Sequence, residues 1–152
     1  MAAARESLVW KGEAVTAKIR AAQKAGVNAT MGACVNAAKS SHAWQNRTGT
    51  LEGGIGIAEY AVDEADGVRG TWGVQDVVYA LIHELGGWIV AKVAKALKIP
   101  MPDGSFRFVK KVYIPARPYL RPAADRLYRT LADRIRKAYE AQGGAAPGDA
   151  DG

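Results

Sequence analysis

The succession of hydrophobic patterns predicts an α+β fold: a long N-terminal helix, a small antiparallel sheet of two hairpins, a short middle helix and a long C-terminal helix. Three observations carry that prediction. Apolar and small residues recur at helical steps near both ends. Alternating runs bounded by Gly- and Asp-containing turns fill the middle. A stiff proline segment, Val112-Tyr113-Ile114-Pro115-Ala116-Arg117-Pro118-Tyr119-Leu120-Arg121-Pro122-Ala123, then joins the last strand to the last helix.

The first helix is expected over residues 5–42. Leu8, Gly12, Val15, Ile19, Ala22, Gly26, Ala29 and Ala33 recur at alternating steps of four and three, which keeps them on one face. The stripe shrinks to Ala and Gly, permitting close approach, and Gly26 is the expected break. Cys34 beside it reads as a small buried hydrophobe. Residues 40–54 turn polar and read as a loop. Two strands follow, Ile55 to Val62 and Val68 to Val74, joined by the acidic turn Asp63-Glu64-Ala65-Asp66-Gly67.

Asp76 reads as the N-cap of a short helix over residues 77–85, stopped by Gly86-Gly87. A basic hairpin comes next, with arms at 95–100 and 106–114 around Pro102-Asp103-Gly104-Ser105; Pro100 places its arm at an edge. The last helix spans residues 121–142, with Ala124, Leu127, Tyr128, Leu131, Ile135 and Ala138 on one stripe. Residues 1–142 read as a single domain and 143–152 as a disordered tail.

Composition narrows the function classes. Of 152 residues, 49% are hydrophobic and 24% charged, as in ordinary globular chains. One cysteine excludes an internal disulfide. No apolar run is long enough to span a bilayer and the N-terminus does not read as a signal peptide, so synthesis in the cytoplasm is expected. The net charge of +6 is unevenly spread. Residues 51–90 hold seven acids against Arg69 alone, whereas residues 91–140 hold thirteen Lys and Arg against four acids. Such segregation suits electrostatic docking, or is simply a solvated surface.

Catalytic motifs fail on inspection. His83-Glu84-Leu85-Gly86-Gly87 opens like a zinc-protease helix, but Gly87 stands where the second histidine belongs. Two histidines and one cysteine cannot supply a four-ligand structural zinc site. No nucleophile elbow and no phosphate-cradling Gly-rich loop is present. The expectation is a protein without enzymatic activity or cofactor. A basic nucleic-acid-binding domain is the alternative, with Phe106, Phe108, Tyr113 and Tyr119 interleaved among cations. Against it, Phe106 and Phe108 share a strand face at spacing two, the spacing of core residues.

Three landmarks then coincide in order: Arg47-Thr48-Gly49-Thr50-Leu51, Tyr79-Ala80-Leu81-Ile82-His83-Glu84-Leu85-Gly86-Gly87, and, after Lys95-Ala96-Leu97 and the basic hairpin, the Pro-Ala-Arg-Pro-aromatic-Leu-x-Pro-Ala core over 115–123. Together they resemble the minor tail, or tail-completion, proteins of long-tailed bacteriophages, a family also found in prophages and gene transfer agents. The related virion morphogenesis proteins share the pattern. Tyr119 stands where Phe is usual, and His83-Glu84-Leu85 where an acidic-aromatic pair is expected.

The resemblance implies a structural virion component at the neck or upper tail, made in the host cytoplasm. It implies a ring, commonly hexameric, that joins head to tail. Its partners are further copies of itself and adjacent neck, connector or tail-terminator proteins, with nonspecific DNA contact in the channel and no membrane. Thr48, Gly49, Leu51, Tyr79, Gly86, Pro115, Arg117, Pro118, Tyr119, Leu120 and Pro122 are the motif residues, with Tyr119 and Leu120 expected as core anchors. A ring joins unlike patches, and the chain offers two. Glu59, Asp63, Glu64 and Asp66 on the acidic hairpin are expected to face Lys95, Lys98, Lys110, Lys111 and Arg117 of the next subunit. Arg117 has an alternative structural role, bonding a carboxylate or carbonyl of its own subunit.

Overall fold

In the computed structural model, which describes residues 9–41, 49–77 and 79–143, the chain is α+β and one long helix organises it. That helix, α1, spans Gly12–Ser40. A short helix α2 (Thr50–Gly54) leads into the hairpin β1 (Ile55–Glu64) and β2 (Gly67–Val74). Helix α3 (Ala80–Leu85) precedes four short strands: β3 (Gly87–Val90), β4 (Leu97–Pro100), β5 (Phe106–Val109) and β6 (Lys111–Ile114). The chain closes with α4 (Leu120–Leu127), a 3-10 turn (Tyr128–Thr130) and α5 (Leu131–Ala141). The β1–β2 hairpin and the C-terminal helices both pack along α1.

The first helix is shorter than expected at both ends and unbroken at Gly26. Lys11 leaves the helical region, and the Trp10 ring folds over Gly12. Gly26 is a crossing point: a Cβ there would collide with the Ile135 side chain and lie 2.9 Å from its backbone nitrogen. Gly70 does the same for β2, since a Cβ would come within 2.8 Å of the Met31 sulfur. The buried face also departs from the expected stripe. It runs through Ala22, Gly26, Thr30, Cys34, Ala37 and Ala38, with Met31 and Val35 beside it. Val15 and Ile19, on the first turns, are exposed.

A compact core forms where the C-terminal half of α1 meets α2, β1 and α4. Val35, Ala37, Ala38, Leu51, Ile55, Tyr119 and Ala123 are buried there, with Trp72, Val74, Val77 and Leu127 packed around them. Cys34 is fully buried, as expected, and burial pushes its thiol pKa up. In β1 the pairing with β2 is irregular between Glu59 and Val62, and the freed Ala61 N–H donates to Asn28 Oδ1 at 2.8 Å. A bulge thus finds its partner on α1 rather than losing a hydrogen bond.

The second half of the sheet is wired differently from the predicted hairpin. β4 pairs with β5, but β6 pairs with β3, a stretch ahead of the predicted hairpin for which no strand was expected. The two ladders meet at a bend on Lys110, whose carbonyl accepts the Ala91 N–H at 3.0 Å. The described strands therefore form three two-stranded ladders. Asp76 is not a cap: its φ is +56°, and α3 begins at Ala80 after a turn closed by Ala80 N–H to Val77 carbonyl. The last helix is interrupted at Tyr128–Thr130, where the Thr130 hydroxyl donates to the Leu127 carbonyl at 2.7 Å. Residues 144–152 of the predicted tail lie outside the described residues.

Two glycines of α1 should respond oppositely to alanine. Helix propensity favours Ala by about 1 kcal/mol, but overpacking a tight contact costs about 1–3 kcal/mol. Gly26→Ala is expected to lose up to about 2 kcal/mol net, whereas Gly32→Ala, with nothing within 4 Å, gains about 0.5–1 kcal/mol. Urea denaturation of the two variants checks both signs.

Candidate functional site

The proline segment is held by one carboxylate. Glu84, near the end of α3, accepts the Tyr119 N–H at 2.8 Å and the Leu120 N–H at 3.1 Å on Oε2. Its Oε1 accepts the Arg121 N–H at 2.9 Å. These are the amides that α4 leaves unpaired at its start. Pro122 has no N–H to satisfy, so the prolines and Glu84 divide the helix start between them. The carboxylate charge also faces the positive end of the helix dipole. A cap supplied from 35 residues away replaces the side chain that Tyr119, at the N-cap position, does not provide.

Further contacts fix the same junction. The Arg117 N–H donates to the His83 carbonyl at 2.8 Å. Gly86 has φ +68°, and a Cβ there would lie 2.5 Å from the Ala116 nitrogen and 2.9 Å from the Ile114 carbonyl oxygen. Both its backbone conformation and its surroundings therefore require glycine. Tyr119 is 1% exposed, and its hydroxyl donates to the Ala80 carbonyl at 3.3 Å. Burial, and then the Glu84 charge, push its phenol up to about 12. The ring of His83 meets Tyr79 edge-on at 5.7 Å.

Of the motif residues, Tyr119 and Leu51 are core and Leu120 packs against it, as expected for the two anchors. Gly49 takes the left-handed conformation, φ +71°, at the start of α2. Pro115, Arg117, Pro118 and Pro122 are exposed, Tyr79 precedes α3, and Thr48 lies outside the described residues. Glu84 was invisible as a site residue: nothing in local spacing links a carboxylate in a six-residue helix to a proline-rich helix start so far along the chain.

The arm that this junction carries consists of the β3–β6 and β4–β5 ladders. It makes no more than marginal contact with α1, β1 or β2. Phe106 and Phe108 point outward, 53% and 66% exposed, correcting their expected place in a core. Spacing two puts them on one face, but Leu97, Ile99 and Val109 take the half-buried one. Trp88 and Tyr113 likewise pair on the exposed side of β3–β6, ring centroids 5.3 Å apart. Lys98 Nζ stands 3.8 Å over the Phe106 ring and Lys111 Nζ 4.7 Å from the Trp88 centroid.

The acidic hairpin is largely satisfied within its own chain. Asp63 pairs with Lys24 at 3.0 Å, and Arg69 reaches Glu64 at 2.8 Å and Glu59 at 3.8 Å. Asp66 is exposed at the turn. Lys95, Lys98, Lys110, Lys111 and Arg117 are exposed and form no ion pair among the described residues. Within the subunit the two groups are not brought together. A cleft of about 240 Å³ between α1, β2 and the helix break is lined mainly by Val27, Met31, Val68 and Leu131. Its Thr30 hydroxyl and Trp72 N–H are engaged with Gly26 and Tyr128. No group of three His, Cys, Asp or Glu side chains is placed to hold a metal ion among the described residues.

Removing the clamp has a measurable cost. Glu84→Ala leaves two part-buried amides and one exposed amide without their acceptor, and a loss of about 1–2 kcal/mol is expected in denaturant unfolding, with a smaller loss for Glu84→Gln, which keeps one acceptor oxygen. Tyr119 supplies a pH signature. Its folded pKa lies above the ordinary value near 10, so the unfolded chain releases the proton first and stability falls as pH rises from about 10 through about 12. Denaturation midpoints across that window should show the fall in the parent and much less of it in Tyr119→Phe. Comparison with protein-family models, curated proteins and solved structures gives no match.

Proposed function

We propose that this chain is a structural, non-enzymatic subunit that assembles as a ring at the head–tail interface or upper tail end of a long-tailed phage particle and joins tail to head. The observation that carries the proposal is the placement of uncovered apolar surface. Among the described residues, Tyr79, Leu81 and Leu85 stand exposed on α3 and at its start. A second patch, Val9, Trp10, Val15 and Ile19, lies at the start of α1. Side chains such as Trp10, 83% exposed, and Leu81 and Leu85, 68% and 67%, are what an oligomer covers.

Two unlike patches on one chain fit the heterologous interface that closes a ring. The Glu84 clamp supports the same reading, because a ring needs each arm at a fixed angle to its body. The resemblance in the motifs supplies the location. In this reading α3 of one subunit meets the α1 start of the next, and apolar burial provides most of the association energy.

The test is the mass of the purified protein in solution, alone and with intact tails, at low and high salt. A closed ring, or a monomer that joins tail ends stoichiometrically, is expected, and it should survive high salt because apolar contacts are not screened. Leu81→Asp with Leu85→Asp should leave a folded monomer. A parent protein that stays monomeric and ignores tails at both salts would overturn the proposal.

A further inference from the structure

We infer that the exposed face of the arm binds single-stranded nucleic acid, with bases stacked on its aromatic rings and phosphates held by its lysines. This goes beyond the ring and does not depend on it. The rings of Trp88, Tyr113, Phe106 and Phe108 are all more than half exposed. They occupy the outward sides of two adjoining ladders, Trp88 opposite Tyr113 and Phe108 opposite Lys98. Phe108 and Tyr113 are five residues apart across the bend at Lys110, at most roughly 18 Å, a span of a few nucleotides.

The charge on the same stretch calls for an anion. Between residues 92 and 111 there are six cations and one acid, Asp103. That carboxylate is already engaged, accepting both the amide and the hydroxyl of Ser105, at 2.9 and 2.6 Å. None of the six cations has an ion-pair partner among the described residues. Lys98 and Lys111 instead lie over aromatic rings. Such exposed cation–π contacts are weak, and a flexible lysine can swing from the ring to a phosphate while a base takes the ring face. The arrangement therefore combines sequence-tolerant stacking with backbone neutralisation, the two ingredients of single-strand binding.

The competing occupant, the acidic hairpin of a second copy, is less well matched. Asp63, Glu64 and Glu59 each already have a cation in their own chain, which leaves Asp66 as the unengaged carboxylate of that turn. A duplex is also a poorer fit, because its bases stack on one another and leave the rings unused.

The experiment is a titration of the full chain with an oligothymidylate of about twenty nucleotides, and with a duplex of equal length, followed by tryptophan fluorescence and anisotropy. Quenching is expected for the single strand and should be largely absent in Trp88→Phe. Affinity should fall by about tenfold or more between 50 and 200 mM salt. Trp88→Ala and Phe108→Ala should each weaken binding by about tenfold or more. Lys110→Glu with Lys111→Glu should weaken it and flatten the salt dependence. Unchanged circular dichroism and denaturation midpoints would show that these surface variants fold.

Absence of binding by the parent would overturn the inference. So would equal affinity for the duplex that survives both aromatic substitutions, since that is charge alone. It would fall equally if Lys98→Glu with Lys111→Glu abolished self-assembly and Glu64→Lys with Asp66→Lys restored it, which would place a second copy on the arm. Because binding is read on the oligonucleotide and assembly on the mass, either conclusion can fail while the other holds.

Discussion

The structure turns on a single carboxylate that terminates one element and starts another. Glu84 receives three consecutive backbone amides across the gap between α3 and α4. Each charge-assisted hydrogen bond is worth about 1.5–3 kcal/mol in favourable settings, offset in part by bringing the carboxylate out of water. What it secures is geometric. The proline segment can follow only a few extended paths, and the clamp selects one of them. With Gly86 wedged against Ala116 and Tyr119 buried beneath, the root of the arm becomes continuous with the core.

Body and arm are stabilised by different means. In the body, α1 presents Ala22, Cys34 and Ala38 without exposed surface, and Gly26 and Gly70 let other backbones and side chains come close. Small side chains bury little area each, so the gain comes from tight packing over the length of the helix. The arm has no comparable interior. Two-stranded ladders are marginal on their own, and each of these is four residues long per strand. The arm keeps its shape through its root and is completed by whatever covers its apolar and aromatic side.

Much of this was legible in the residues, and the failures share a cause. The α+β order, the hairpin of 55–74, the amphipathic C-terminal helix and the buried roles of Tyr119 and Cys34 follow from local period and residue type. What was missed depends on partners distant in sequence. Period two states that Phe106 and Phe108 share a face but not which face is covered. The pairing of β6 with β3 carries no local signal, since both β5 and β6 look like one continuous strand apart from the bend at Lys110. The shift of the α1 stripe after Gly26 reflects where Ile135 and β2 lie rather than any change in the helix. Glu84 belongs to the same class: its partners are amides, which every sequence has.

The charge segregation acquires a physical meaning once the acids are located. The acidic block of residues 51–90 is largely spent inside the subunit, with Glu84 on the clamp, Glu59 and Glu64 on Arg69 and Asp63 on Lys24. Exposed pairs of this kind contribute little to stability, about 0–1 kcal/mol each, but they lower the negative charge that the hairpin presents to a neighbour. Among the described residues the cations of the arm have no such internal ion-pair partner. A subunit of this design presents a surface more one-sidedly positive than its composition suggests. Long-range attraction from that surface falls on polyanions in the surroundings before it falls on a sister chain. The proposed assembly and the proposed anion binding make separable demands: the exposed apolar side chains of α3 and of the α1 start, and the cationic aromatic face of the arm, lie on different stretches of the chain.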